Sequence, residues 1–206
     1  MTLKIKSLEN VVWLNFLLIF ALTSCSTSKI AQYPKSWKKS ALIYGESCAN
    51  ISGTYENEGI DAPSNKDVKW HQKHPIFLSN FFTDGPLVNG YKQKWITHIK
   101  FSEVKGKKLT AEFYKKEKLI YSKIFVIKED FLCTTEGIVF ESSYNKVYEI
   151  GGGFGHRVTK LIFTKTKDNS LLLTKDFSEK GLALVLVPFS EKVVSLYKFN
   201  RAKTKP

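Results

Sequence analysis

The chain has 206 residues, 43% of them hydrophobic and 25% charged, which excludes a chain too short to bury a core and fits one domain with an interior of its own. Lysine and arginine number 32 against 19 aspartates and glutamates, a net charge of +13. That excess disfavours cationic partners and suits anionic ones, phospholipid headgroups and nucleic acid among them. Lysines spread along the chain at predicted turns also serve simply to keep a β-protein solvated.

The N-terminus has three zones. Lys4 and Lys6 make a positive start, residues 11–22 (VVWLNFLLIFAL) form an apolar run interrupted only by Asn15, and the small residues Thr23 and Ser24 precede Cys25. This is the layout of a secretory signal peptide. The run is short for a bilayer span, which takes about 20 apolar residues. A buried core helix would not explain why it stops where it does. Leu22-Thr23-Ser24-Cys25 resembles the lipobox of bacterial lipoproteins. The resemblance implies a diacylglyceryl group on the Cys25 sulfur, cleavage before Cys25, and acylation of the new amine with a chain such as palmitate. Each buried methylene contributes about 0.8 kcal/mol, so two or three chains hold durably. In such lipoproteins an aspartate after the cysteine retains the chain in the inner membrane, so with Ser26 there the resemblance implies the outer membrane. The expected organisation is therefore a signal peptide (1–24), a lipidated tether (25–47) and a β-barrel-like domain (48–206). Losing residues 1–24, with Lys4, Lys6 and Glu9, takes one unit from +13 and leaves +12.

Lipidation consumes Cys25 and leaves Cys48 and Cys133. In an oxidising compartment such a pair is expected to close. The loop of about 85 residues gives a chain-entropy estimate of roughly 4 kcal/mol. The alternative is two separate buried thiols.

Residues 26–45 are rich in Ser, Thr and Lys and show no sustained period, which reads as a tether with a short helix near Ser36 to Leu42. Lys29, Lys35, Lys38 and Lys39 would favour an anionic surface near the lipid; Tyr33 and Trp37 suit either that interface or the domain surface. Residues 50–57 are the first predicted strand. The stretch from Cys48 to Tyr55 (CANISGTY) resembles uncharacterised bacterial lipoproteins whose mature domains begin Cys-x-x-Ile-Ser-Gly-Thr-Tyr. Gly53-x-Tyr55 is also similar to the first strand of lipocalin-type barrels, which carry Trp where this chain has Tyr55. That likeness implies an arginine near the chain end over the ring, a part open to Arg201. Residues 58–93 are punctuated by Gly59, Pro63, Pro75, Gly85, Pro86 and Gly90. Their apolar stretch 76–82 suits a short helix or strand packed on the barrel, and so long an excursion suits a lid or a plug.

From Lys94 the pattern is regular. Trp95, Thr97, Ile99 and Phe101 alternate with His98 and Lys100, and Leu109, Ala111 and Phe113 alternate with Thr110, Glu112 and Tyr114. Residues 119–127 are apolar on both faces, which suits a central strand. Segments 131–135 and 137–142 form a shorter pair, and strands follow at 157–166, 170–176, 181–189 and 192–200. Polar links at 105–107, 115–118, 128–130, 167–169, 178–180 and 190–191 separate them. Short strands at this spacing predict an all-β antiparallel meander closing into a lipocalin-like barrel, with a β-sandwich as the alternative. Trp95, Phe101, Phe113 and Phe125 are expected to fill it.

No catalytic constellation emerges. Residues 151–155 are the densest glycine cluster, but a strand follows where a phosphate loop needs a helix. A loop, a bulge or a close backbone contact is the simpler reading, with Arg157 beside it. His71 and His74 have metal-ligand spacing without a third ligand, and Glu56 and Glu58 share a strand face without an opposing carboxylate. The expectation is a non-enzymatic lipoprotein with no metal and no cofactor. Its partners would be the membrane, through the lipid anchor, and a lipid or envelope protein, but no nucleic acid. The expected role is binding an apolar or anionic envelope ligand. The alternative is a structural or assembly partner of other envelope proteins, with a filled barrel and no ligand.

Overall fold

A computed structural model describes residues 25–35, 37, 48–62, 75–83, 87–88, 90–147, 153–183 and 187–203. The strands are β1 (Cys25–Ile30), β2 (Gly53–Glu56), β3 (Ile60–Asp61), β4 (Leu87–Val88), β5 (Tyr91–Lys92), β6 (His98–Phe101), β7 (Lys108–Lys115), β8 (Lys118–Val126), β9 (Leu132–Thr134), β10 (Gly137–Val147), β11 (Gly153–Lys165), β12 (Leu171–Ala183) and β13 (Val187–Phe199). Two 3-10 turns, Leu78–Phe81 and Gln93–Trp95, are the only helical pieces among the described residues.

The fold is all-β. One sheet runs β1-β13-β12-β11-β10-β9, with β3 also paired to β13; a second runs β2-β6-β7-β8; β4 and β5 form a ribbon. The chain end bridges back to the first strand of the second sheet. Tyr55 pairs with Arg201, the Glu56 N–H donates to the Asn200 carbonyl (2.9 Å), and the Ala202 N–H donates to the Thr54 carbonyl (2.9 Å). The ladders among the described residues nonetheless stop at β8 and β9, so the sheets do not close into a barrel. Between those strands the chain turns a corner instead of pairing. Lys128 takes a left-handed backbone (φ 71°), its N–H bonds the Phe131 carbonyl (2.7 Å), and the Val126 N–H donates to the Asp130 carboxylate (2.7 Å).

Backbone packing divides the described residues into two compact units, the larger drawn from 29–142, 159–177 and 193–203 and the smaller from 25–28, 143–158 and 178–192. In the larger unit period-two patterning sorts the side chains as expected along β7, where Leu109, Ala111 and Phe113 are buried. Lys107 and Lys116 take positive φ in the tight turns at either end of β7, matching the predicted polar links. The core adds Ile51, Tyr55, Ile99, Phe101, Ile138, Phe163, Leu171 and Phe199. Trp37 packs on Ala31, Ala62 and Leu196, and its ring meets Tyr33 edge-on at 6.1 Å, so these aromatics sit on the domain. The turn at 167–169 is tied down by Asp168. Burial pushes its carboxyl up, but hydrogen bonds from Lys198 (2.8 Å) and Thr166 outweigh that and hold it well below the usual carboxylate range.

Several predicted elements differ. Cys25–Ile30 is a strand where the sequence lacks a period, because an edge ladder uses backbone groups and asks little of Ser and Thr side chains. Apart from Trp37, the predicted helix at 36–42 lies outside the described residues. Trp95 is 43% exposed, because a 3-10 turn takes it out of the alternation that buries Ile99 and Phe101. β8 is last in its sheet, with Leu119 and Ile124 exposed. Its Lys123 pairs with the buried Ala111 and so points inward, a charge that discourages edge-to-edge pairing. The predicted links 178–180 and 190–191 lie inside β12 and β13. The predicted strand 181–189 is shared between the end of β12 and the start of β13, with 184–186 outside the described residues. Half of the glycine cluster is strand as well: β11 starts at Gly153, and Gly151 and Gly152 lie outside the described residues.

Gly137, at the start of β10, has φ 146°, and a Cβ there would overlap the Phe163 carbonyl oxygen of the neighbouring strand. Gly137→Ala meets both backbone strain and a clash with a group that cannot move aside. It should destabilise the protein by about 2 kcal/mol or more, read as a lowered urea midpoint with an unchanged m-value.

Candidate functional site

The interior of the larger unit is built around a buried amide. Asn57 follows β2 and is 1% exposed. Its backbone carbonyl accepts from the Leu78 N–H (2.7 Å), and its side-chain oxygen accepts from the Ser79 N–H (2.9 Å). Its Nδ2 donates to the carbonyls of Gln93 (2.9 Å) and Ile96 (3.2 Å). Gln93 Nε2 in turn donates to Thr83 Oγ1 (2.8 Å), and Thr83 Oγ1 donates to the Ser79 carbonyl (2.9 Å). One side chain thus satisfies two irregular segments whose backbone groups have no ladder. Alternation with Glu56 and Glu58 puts Asn57 on the inward side with Tyr55, but nothing in the sequence names the segments its amide serves.

This clamp delivers Phe82 into the core. Its ring lies 5.2 Å from Phe101 and 5.6 Å from Phe125 of the second sheet, and 5.4 Å from Phe140 and 5.0 Å from Phe163 of the first. Lys123 Nζ donates to the Phe82 carbonyl (3.2 Å) while resting 5.0 Å from the Phe125 ring centroid. The described part of the excursion, residues 75–83, is therefore a plug. Cys48 and Cys133 stand at disulfide distance, with sulfurs 1.99 Å apart and Cα atoms 5.0 Å apart, beside the same core. The cross-link fastens the lead-in to β2 onto β9.

The outer side of β6 and β7 is different in character. The exposed Trp95 ring lies 5.8 Å from Lys92 Nζ and 5.3 Å from Lys115 Nζ. Lys94 is exposed next to it in sequence, and the Lys116 N–H bonds Thr97 Oγ1 (2.8 Å), which brings the β7–β8 turn alongside. His98 stacks on Tyr114 at 4.8 Å and 10°. Burial holds the His98 pKa below its ordinary value, so the positive charge here belongs to the lysines. Glu112 is engaged by Lys100 (3.3 Å) and by the Tyr114 hydroxyl (2.9 Å). An aromatic plane framed by ammonium groups can take up an anionic group together with an apolar body.

The smaller unit has its own cluster. Arg157 donates through Nε (3.1 Å) and NH2 (2.6 Å) to the buried Glu179 and through NH1 to the Tyr144 hydroxyl (2.7 Å), with its guanidinium 5.5 Å from the Tyr144 ring centroid. The sequence places Arg157 beside a glycine cluster; the structure commits it to Glu179. Gly181 allows the close approach, since a Cβ there would overlap the Phe154 carbonyl oxygen and the Gly155 Cα.

Of the other sequence candidates, Cys25 begins β1, and His71 and His74 lie outside the described residues. Glu56 and Glu58 are exposed; Glu56 meets Asn200 at 3.5 Å and Glu58 bridges Phe77 through the backbone. Among the described residues no group of three His, Cys, Asp or Glu side chains is disposed to hold a metal. No family model, curated protein or solved structure matches the chain.

Two outcomes follow from the plugged, cross-linked interior. Phe82→Ala should cost about 3–5 kcal/mol, because the ring is replaced by a void lined with four other rings; an unchanged denaturation midpoint would mean that Phe82 does not fill the core. Non-reducing peptide mapping should recover Cys48 joined to Cys133, and reduction should lower stability by roughly 4 kcal/mol or somewhat less.

Proposed function

We propose that this chain is a lipid-anchored protein of the bacterial cell envelope, held at the periplasmic face of the outer membrane by acyl groups on Cys25. In this reading it is a non-enzymatic binding module that engages an anionic envelope component at its surface. The observation that carries the binding role is Trp95, a large aromatic left in solvent between Lys92 and Lys115. The lipobox-like Leu22-Thr23-Ser24-Cys25 and the net charge of +13 support the location and the sign of the partner.

The Phe82 plug favours a surface over an interior cavity, which also lends weight to a second reading: an assembly partner of other envelope proteins with no small ligand. The architecture best suited to either role is a sandwich-like β-domain that the Tyr55–Arg201 bridge draws toward a lipocalin-like closure.

Intact mass of protein extracted from its membranes should show a chain beginning at Cys25 plus acyl groups; a soluble product cut elsewhere and bearing no lipid overturns the anchor. Detergent-solubilised protein should bind purified lipopolysaccharide in a salt-dependent manner. The K92Q/K115Q double variant and Trp95→Ala should each weaken that binding by about tenfold at unchanged thermal midpoint. Equal binding by wild type and both variants overturns the assignment to this surface.

A further inference from the structure

The smaller unit contains Cys25–Ser28 of β1 together with 143–158 of the β10–β11 pair and 178–192 of the β12–β13 pair. The residue proposed to carry the lipid is thus the first residue of a strand in this unit. Within the same unit three large apolar side chains stand in solvent on two adjacent strands: Tyr144 (47% exposed) and Val147 (76%) on β10, and Phe154 (58%) on β11. Several polar groups of the same unit are already engaged. Arg157 is paired with Glu179 and bonded to the Tyr144 hydroxyl, and the His156 ring bonds the Asn145 side chain (3.0 Å). Lys180 remains exposed in the same unit.

Exposed Val and Phe beside a tyrosine, with a lysine within the unit and the neighbouring arginine neutralised, is the composition that settles into the headgroup layer of a bilayer. In water these side chains carry an unrelieved hydrophobic cost. We propose that the smaller unit faces the membrane, and that Val147 and Phe154 enter the same leaflet as the acyl chains on Cys25. The proposal rests on the anchor reading and deepens it. The occupant is a lipid surface, because the acylation residue belongs to the unit that presents the apolar side chains. Anchoring then has two components, covalent lipid and protein side chains, and together they orient the domain instead of leaving it on a slack leash.

The test uses the full chain, processed in a lipoprotein-competent host and reconstituted into phosphatidylethanolamine/phosphatidylglycerol vesicles that contain a diazirine-bearing phospholipid. After photolysis, lipid adducts should concentrate in residues 143–158 over residues 108–126. V147D/F154D should lower adducts in 143–158 by about fivefold or more while acylation and thermal midpoint stay unchanged. Adducts spread equally over both segments, or a variant labelled like wild type, overturn the proposal. If intact mass shows no acyl group, the anchor reading has failed by itself. The same full chain is then mixed with these vesicles: sedimentation of wild type but not of V147D/F154D upholds the apolar contact, and sedimentation of neither overturns it.

Discussion

The larger unit depends on the Asn57 amide. Two segments without ladders, 75–83 and 93–97, have to enter a region closed to water, and their backbone groups need partners there. Asn57 meets that need with one carbonyl, one side-chain oxygen and one amide nitrogen, each directed at a different residue. Leaving such buried groups unpaired costs about 1–3 kcal/mol apiece. The clamp is therefore what allows an irregular excursion to be part of the core.

From that clamp the character of the domain follows. Phe82 is presented to Phe101, Phe125, Phe140 and Phe163, so rings from both sheets converge on a residue that belongs to neither. Lys123 secures the backbone of the same residue from the last strand of the second sheet. Aromatic packing of this kind fills the interior, so the proposed recognition falls to the outside. There Trp95 and its lysines offer a surface suited to anions.

The smaller unit solves a different problem. Strands β11 and β12 run on through polar sequence, and a buried glutamate on β12 would be prohibitive alone. Arg157 supplies two hydrogen bonds to Glu179, which lets the strand continue where sequence reading expects a turn. Phe154 stands in solvent on the β11 so continued, and Val147 on the neighbouring β10, in the unit that also holds Cys25. The proposed membrane contact uses both side chains.

Local patterning was legible where it reflects only which side of a strand faces inward. Alternation along 108–115 and the lysine turns at its two ends are of this kind, and so is the arithmetic that leaves Cys48 and Cys133 as a pair. The chain end does meet the first strand, but through a backbone bridge between Tyr55 and Arg201, where the likeness implied an arginine over the ring. Illegible were β8 as a last strand, Trp95 as a surface residue, Asn57 as a hub and Arg157 as the partner of Glu179. By itself the sequence determined the all-β class and most inward faces, which follow from neighbours along the chain, and it made Cys48 and Cys133 the expected pair without closing the alternative of separate thiols. Only the tertiary structure decided which strands lie beside one another, where the meander stops short of closure and which polar residues are buried. Those outcomes turn on contacts between residues far apart in sequence, such as Asn57 with Gln93 and Arg157 with Glu179, and no local period encodes them.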